Sequence, residues 1–167
     1  MEEVDIVDKN DNVIGKTTKK EAHEKGLLHR CVVSEVKDSK GRWLFVKQAP
    51  DRQDAGQYVS PVGGHVSSGE TNEDALKRET FEELGLKDFK YKYLGKGIFN
   101  RYVIGRKENH YFMLYEVYSD TTPILNHESE SSIYFTDDEL KKEFEEHPEH
   151  FGDAFHFIVK DFFPQLI

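Results

Sequence analysis

Gly64-His65-Val66-Ser67-Ser68-Gly69-Glu70-Thr71-Asn72-Glu73-Asp74-Ala75-Leu76-Lys77-Arg78-Glu79-Thr80-Phe81-Glu82-Glu83-Leu84-Gly85-Leu86 is the stretch on which the reading of this chain turns. Thr71 is a good helix N-cap, Asp74 stands three residues on in a capping-box-like place, and Glu73 and Asp74 favour the positive end of a helix dipole. Leu76, Thr80 and Leu84, with Ala75 and Phe81 nearby, make an apolar stripe, and Gly85 follows as a left-handed stop. The spacing therefore predicts a helix from about Thr71 to Leu84.

The same helix ends against the rules. Glu79, Glu82 and Glu83 stand at i, i+3 and i+4, so their carboxylates share one side of the last two turns. Acids there oppose the dipole at about 0.3–1 kcal/mol each, and like charges four apart lose about 0.2–0.5 kcal/mol more. Arg78, four before Glu82, offsets only part of this. A solvated acidic face normally puts acids at the start of a helix and bases at its end, the reverse of the order here. Three hard oxygen donors on one face suit a divalent cation such as Mg²⁺.

Gly64, Glu70 and Arg78-Glu79-Thr80-Phe81-Glu82-Glu83-Leu84-Gly85-Leu86 resemble the Nudix box, G-x5-E-x7-R-E-U-x-E-E-x-G-U with U apolar. The one departure is Thr80 at the first U, where a buried hydroxyl needs a partner. The resemblance implies an α+β fold, a Nudix-type α/β/α sandwich with a mixed β-sheet. It also implies Mg²⁺, with Mn²⁺ as substitute, on Glu79, Glu82, Glu83 and a backbone carbonyl at Gly63 or Gly64, here assigned to Gly64. Arg78 then orients the carboxylates and Glu70 supports the loop. The implied reaction is in-line attack of water on a diphosphate within a nucleoside diphosphate linked to another moiety. Glu82, central on the acidic face, is the first choice of base, with Glu128 and Glu130 as loop candidates.

The rest of the chain reads as scaffold. With 167 residues, a formal charge of −9 and 37% hydrophobic residues, residues 1–167 are expected to form one domain with a sizeable core. The acidic balance excludes a duplex nucleic-acid footprint, although bound metal can invert the local field over a small phosphorylated substrate. No apolar run suits a membrane, the acidic N-terminus lacks a basic leader, and the single cysteine, Cys31, fits a reducing cytoplasm. Relatives that form homodimers leave that state open.

Residues 4–7 and 13–16 read as a hairpin, and Thr17 as the cap of a short helix closed by Gly26. Strands are expected over 29–36, 43–47, 58–62, 91–99 and 111–118, with 101–108 as a connecting segment and 50–57 as a polar loop. Thr136 and Glu139 form a capping box for a charged helix to about Glu146. Phe151, Phe155, Ile158 and Phe162 fall at helical spacing and read as core packing. Arg52, Arg101, Arg106 and Lys107 could meet extra phosphates, and Tyr58, Phe99 or Tyr102 could stack on a ring.

A second constellation comprises His23, His29, His65 and Glu108, with His110 beside it. With eight histidines in the chain, coincidence is easy, and a metal site and mere inheritance of sequence weigh evenly. The frame is similar to that of type 1 isopentenyl-diphosphate isomerase, a Nudix relative with metal among two early histidines, one histidine before the box and two glutamates. Here Gly63 stands where that enzyme has its catalytic cysteine, and His110 replaces the second glutamate. The frame is retained and the activity rejected; an isomerase-like enzyme and a non-catalytic nucleotide sensor remain the alternatives.

Overall fold

The computed structural model describes residues 2–167. Two strands, β1 (Glu3–Val7) and β2 (Val13–Thr18), form the first hairpin, followed by α1 (Lys19–Lys25). Thr18, not Thr17, caps α1: its hydroxyl accepts from the Glu21 backbone N–H. Thr17 instead bonds the Glu21 carboxylate, so neighbouring threonines share the two jobs.

The spine is β3 (His29–Lys37), which pairs antiparallel with β4 (Trp43–Gln48) and with the short β6 (Val62–His65), and parallel with β8 (Arg106–Tyr118). One parallel pairing in an otherwise antiparallel set makes the sheet mixed. A two-residue strand β5 (Tyr58–Val59) and β9 (Ser129–Phe135) pair with β4. The sequence reading treated Glu130 as part of a loop; it lies in β9. The expected connecting segment at 101–108 is likewise strand: β7 (Lys90–Val103) pairs with β8 up to Val103↔Arg106, leaving a two-residue turn.

Both faces of the sheet are covered. On one, Val32, Val36, Leu44, Val62 and Tyr115 pack against Ala75, Leu76 and Leu84 of α2 (Asn72–Leu84). On the other, Cys31, Val33, Phe45 and Leu114 pack against Leu140 and Phe144 of α3 (Asp137–Glu146) and Phe155, Ile158 and Val159 of α4 (Asp153–Phe162). The expected α/β/α sandwich is therefore the fold, and the aromatic stripe is core, with Phe151 just ahead of α4 and Phe162 only half-buried. Phe81 departs from the expected stripe: it is exposed, under the Lys87 ammonium.

The box helix has the expected bounds. Thr71 accepts from the Asp74 N–H, and Gly85 closes the helix with φ 70°. That left-handed value favours glycine because it has no Cβ to clash. Thr80 is fully buried, and its hydroxyl has no partner. Among the described residues no helix is long and apolar enough to cross a membrane.

Candidate active site and histidine centre

The acidic end of α2 packs on β6 beside a cleft of about 780 Å³, lined by Glu79, Glu82, Glu83, Gly63, Gly64 and Glu128 among others. β6 reaches α2 because its two glycines offer no side chains. A Cβ on Gly64 would stand 2.2 Å from Glu79 Cδ, so the Glu79 carboxylate occupies the space that any other residue would fill. Gly63 N–H donates to Glu83 Oε2 at 2.9 Å. Glu82 is the open member, its side chain 53% exposed.

Arg78 organises the wall, mainly through partners other than the Glu82 expected from spacing. Its Nε and Nη2 hold both Glu70 oxygens at 2.9 Å, Nη1 holds Glu79 at 2.6 Å, and Nη2 also donates to the His65 carbonyl at 2.9 Å. Glu82 lies farther away, at 3.7 Å. Glu70 in turn accepts from the Ser67 N–H, which ties down the loop before the helix.

Burial pushes the Glu79 carboxyl up to about 7 against the opposing Arg78 hydrogen bond, with the charges of Glu82 and Glu128 adding to the rise. Burial likewise raises Glu83 to about 9; the Gly63 N–H works against this, and Glu79 and Glu128 reinforce it. Crowded carboxylates that resist ionisation are what a site for a cation presents before the cation neutralises them. The donor set is all oxygen, and the Gly64 cradle leaves room for Glu79, so these residues fit a hard divalent ion.

The predicted substrate arginines all line the cleft, but each is already paired. Arg52 holds Glu128 at 2.9 Å, Arg101 holds Asp54 at 2.9 Å and Glu108 at 2.8 Å, and Arg106 holds the other Glu108 oxygen. Tyr102 is 72% exposed near the hairpin tip, and Tyr58 packs against Phe135 and Phe151. Asp54, which anchors Arg101, was not anticipated. Its place in a polar loop gives no sequence signal.

The histidines do meet, in a different set from the one expected. His23 of α1, His29 of β3, His65 of β6 and His110 of β8 present ligand atoms within 4.8 Å of one another. Glu108, expected in the set, is not among these four; its two oxygens pair with Arg101 and Arg106. His23 Nε2 lies 3.3 Å from His110 Nε2 and 3.2 Å from His65 Nε2. Burial lowers His23 to about 4 and drives His65 and His110 well below the usual imidazole range, so all three are neutral near pH 7. A second cavity of about 530 Å³, lined by His23, Lys19, Lys20 and Arg106, borders this centre.

A family model described as the NUDIX domain matches residues 27–155. An uncharacterised Nudix hydrolase of Streptomyces coelicolor is 40% identical over 102 residues, 54% of this chain and 54% of that one. A Photorhabdus laumondii protein named isopentenyl-diphosphate Delta-isomerase 2 is 41% identical over 81 residues, 48% of this chain and 46% of its own. The chain thus spans about half the length of these curated relatives. The crystal structure of DR0079 from Deinococcus radiodurans superposes with a TM-score of 0.75 at 23% identity, over 95% of this chain and 98% of that one, a likeness of fold.

Proposed function

The chain belongs to the Nudix family, and from that premise we propose that it is a pyrophosphohydrolase cleaving a nucleoside diphosphate linked to another moiety. The observation that carries this reading is the convergence of Glu79, Glu82 and Glu83 with the Gly63-Gly64 turn on one wall of the cleft. Mg²⁺ held there, or Mn²⁺ in its place, supplies charge neutralisation for the diphosphate oxygens and lowers the pKa of a water.

The chain's own residues do the rest. Glu79, Glu82, Glu83 and the Gly64 carbonyl are the groups that would hold the ion. Arg78 fixes the Glu79 carboxylate through their 2.6 Å contact, so the ligand is oriented before substrate arrives. Glu82 is exposed to the cleft and takes the proton of the attacking water as it adds to phosphorus in line with the leaving group. Glu128, held by Arg52 at 2.9 Å, lines the same cleft and adds its charge to the rise of the Glu83 carboxyl. The four imidazoles are a second cation site, built on His110 in place of Glu108.

Isomerase chemistry has weaker support. The one cysteine, Cys31, is buried and burial pushes its thiol well up, away from the reactive thiolate. A free buried thiol also fits a reducing, cytoplasmic setting.

The test is product analysis by chromatography. The protein is incubated with Mg²⁺, a panel of nucleoside diphosphate derivatives and isopentenyl diphosphate, beside Glu82→Gln. Cleavage of a panel member at its diphosphate, with a loss of about 10²-fold or more in the variant, is the expected result. Binding without turnover identifies a sensor instead, and rearrangement of isopentenyl diphosphate without release of phosphate restores the isomerase.

A further inference from the structure

β6 is four residues long, and three of them in succession touch the glutamate face while the last also enters the histidine centre. Gly63 N–H donates to Glu83. Gly64 packs its bare Cα against the Glu79 carboxylate. The His65 carbonyl accepts from Arg78, whose other nitrogen holds Glu79, and the His65 ring stacks on His29 at 5.1 Å with an interplanar angle of 6°. A shift of His65 is therefore a shift of the ground on which Glu79, Glu83 and Arg78 rest.

The histidine centre has reason to shift. His29 Nδ1 lies 2.8 Å from the Leu27 carbonyl, a contact only a protonated nitrogen makes, so His29 Nε2 carries a lone pair. That Nε2 is buried and has no partner. His65 Nε2 and His110 Nε2 both abut His23 Nε2, and one N–H on His23 can serve only one of them well. Protein atoms alone leave the His29 Nε2 lone pair without a partner and crowd three further Nε2 atoms that cannot all pair well; a cation accepts a lone pair from each ring. The four-imidazole set is all nitrogen, with the Glu108 oxygens paired to Arg101 and Arg106. It suits an ion of the Zn²⁺, Co²⁺ or Ni²⁺ class and not Mg²⁺.

We propose that the two centres are linked through β6: a transition cation on His23, His29, His65 and His110 raises the affinity of Glu79, Glu82 and Glu83 for Mg²⁺. This rests on the two-cation reading above. Coordination gives the crowded ring nitrogens one partner, fixes His65, and sets Gly63 and Gly64 in register with the glutamates before Mg²⁺ arrives. The ordering cost of the second ion is thereby lowered. Repulsion between the two cations works in the opposite direction and is screened over about 8 Å at physiological salt. Positioning by β6 is short-range and insensitive to salt, which separates the two effects.

The experiment uses the full chain stripped with a chelator and dialysed. One equivalent of Co²⁺ is added, and its visible bands report imidazole ligation. Mg²⁺ is then titrated calorimetrically into stripped and Co²⁺-loaded protein at about 0.15 M and 0.5 M salt. The expected result is a Kd for Mg²⁺ about tenfold lower in the loaded protein at both salt concentrations, with Mg²⁺ tightening Co²⁺ by the same factor. His23→Gln changes a residue on α1, outside β6, and is expected to lose both the Co²⁺ bands and the tightening while keeping the native circular dichroism. Co²⁺ bands with an unchanged or weaker Mg²⁺ affinity overturn the linkage alone. Absence of the bands overturns the histidine centre and the linkage with it, and absence of Mg²⁺ heat in both states overturns the glutamate face.

Discussion

Gly64→Ala isolates the contact on which the glutamate face depends. The added Cβ would lie 2.2 Å from Glu79 Cδ and 2.4 and 2.5 Å from its two oxygens, against an ordinary contact that begins at 3.4 Å. The carboxylate must retreat by at least the difference, 3.4 − 2.2 = 1.2 Å. Glu79 is the far end of a flexible side chain, so the fold absorbs the move and Tm is expected to fall by only about 2–4 °C, about 1 kcal/mol. A ligand displaced by about 1 Å is another matter: kcat/KM is expected to fall about 10²-fold, about 2.7 kcal/mol of transition-state stabilisation. Gly63→Ala is the internal control, since its Cβ would meet only the Val32 carbonyl, at 3.9 Å. The assay is steady-state hydrolysis of whichever panel substrate is cleaved, with Mg²⁺ affinity by calorimetry and Tm on the same samples. A folded Gly64→Ala enzyme within about threefold of wild type would refute the cradle, as would a Gly63→Ala enzyme equally impaired.

Three further outcomes follow from buried polar groups. Thr80→Val removes a hydroxyl without a partner and keeps the shape, so Tm is expected to rise by about 2–4 °C, about 1 kcal/mol; a fall shows that the hydroxyl is satisfied. Arg101→Met strands Asp54 and Glu108 and is expected to cost about 3–5 kcal/mol, a drop in Tm on the order of 10 °C, whereas a raised KM at constant Tm marks Arg101 as a substrate contact. Glu35 is fully buried, accepts from the Ser60 hydroxyl, leaves its other oxygen unpartnered, and is pushed by burial from 4.5 to about 7. Its folded pKa is raised, so the native state binds the proton more tightly than the unfolded chain. Its contribution is full below about pH 4.5 and is lost as pH rises to about 7, about 3 kcal/mol in all. Glu79 and Glu83, also raised by burial, add the same kind of decline to both proteins, so denaturant melts between pH 5 and 8 are expected to fall more steeply in the wild type than in Glu35→Gln; parallel profiles refute it.

What the sequence made legible was local. The cap at Thr71, the stop at Gly85 and the inverted charge order of Glu79, Glu82 and Glu83 are all written within 15 residues, and the structure shows the cap and the stop where they were expected. The errors lie where a side chain's partner comes from across a sheet. Glu108 and His110 alternate onto the same face of β8, so spacing cannot say which reaches the histidines. The register says it: Arg101↔Glu108 are directly opposite on the β7/β8 hairpin, and a guanidinium takes the carboxylate. That hairpin escaped notice because its turn, Ile104-Gly105, puts an isoleucine at φ 50°, where Asn or Asp is the usual sign. β9 carries a weak signal for a related reason, since Ser129–Phe135 is largely polar or exposed and follows the polar stretch Asn126-His127-Glu128.

The acidic helix end shows why a local misfit was nevertheless the best guide to the site. Within α2 Arg78 offsets only part of the cost of three glutamates at the negative pole, through Glu79, because its bidentate pairing goes to Glu70. The compensation comes from outside the helix, as one N–H from Gly63, the bare Cα of Gly64, and, on the reading proposed here, a cation. β6 supplies the first two and delivers His65 to the second centre from the same four residues. A helix that is wrong by its own rules has therefore been made right by a strand too short to be stable alone.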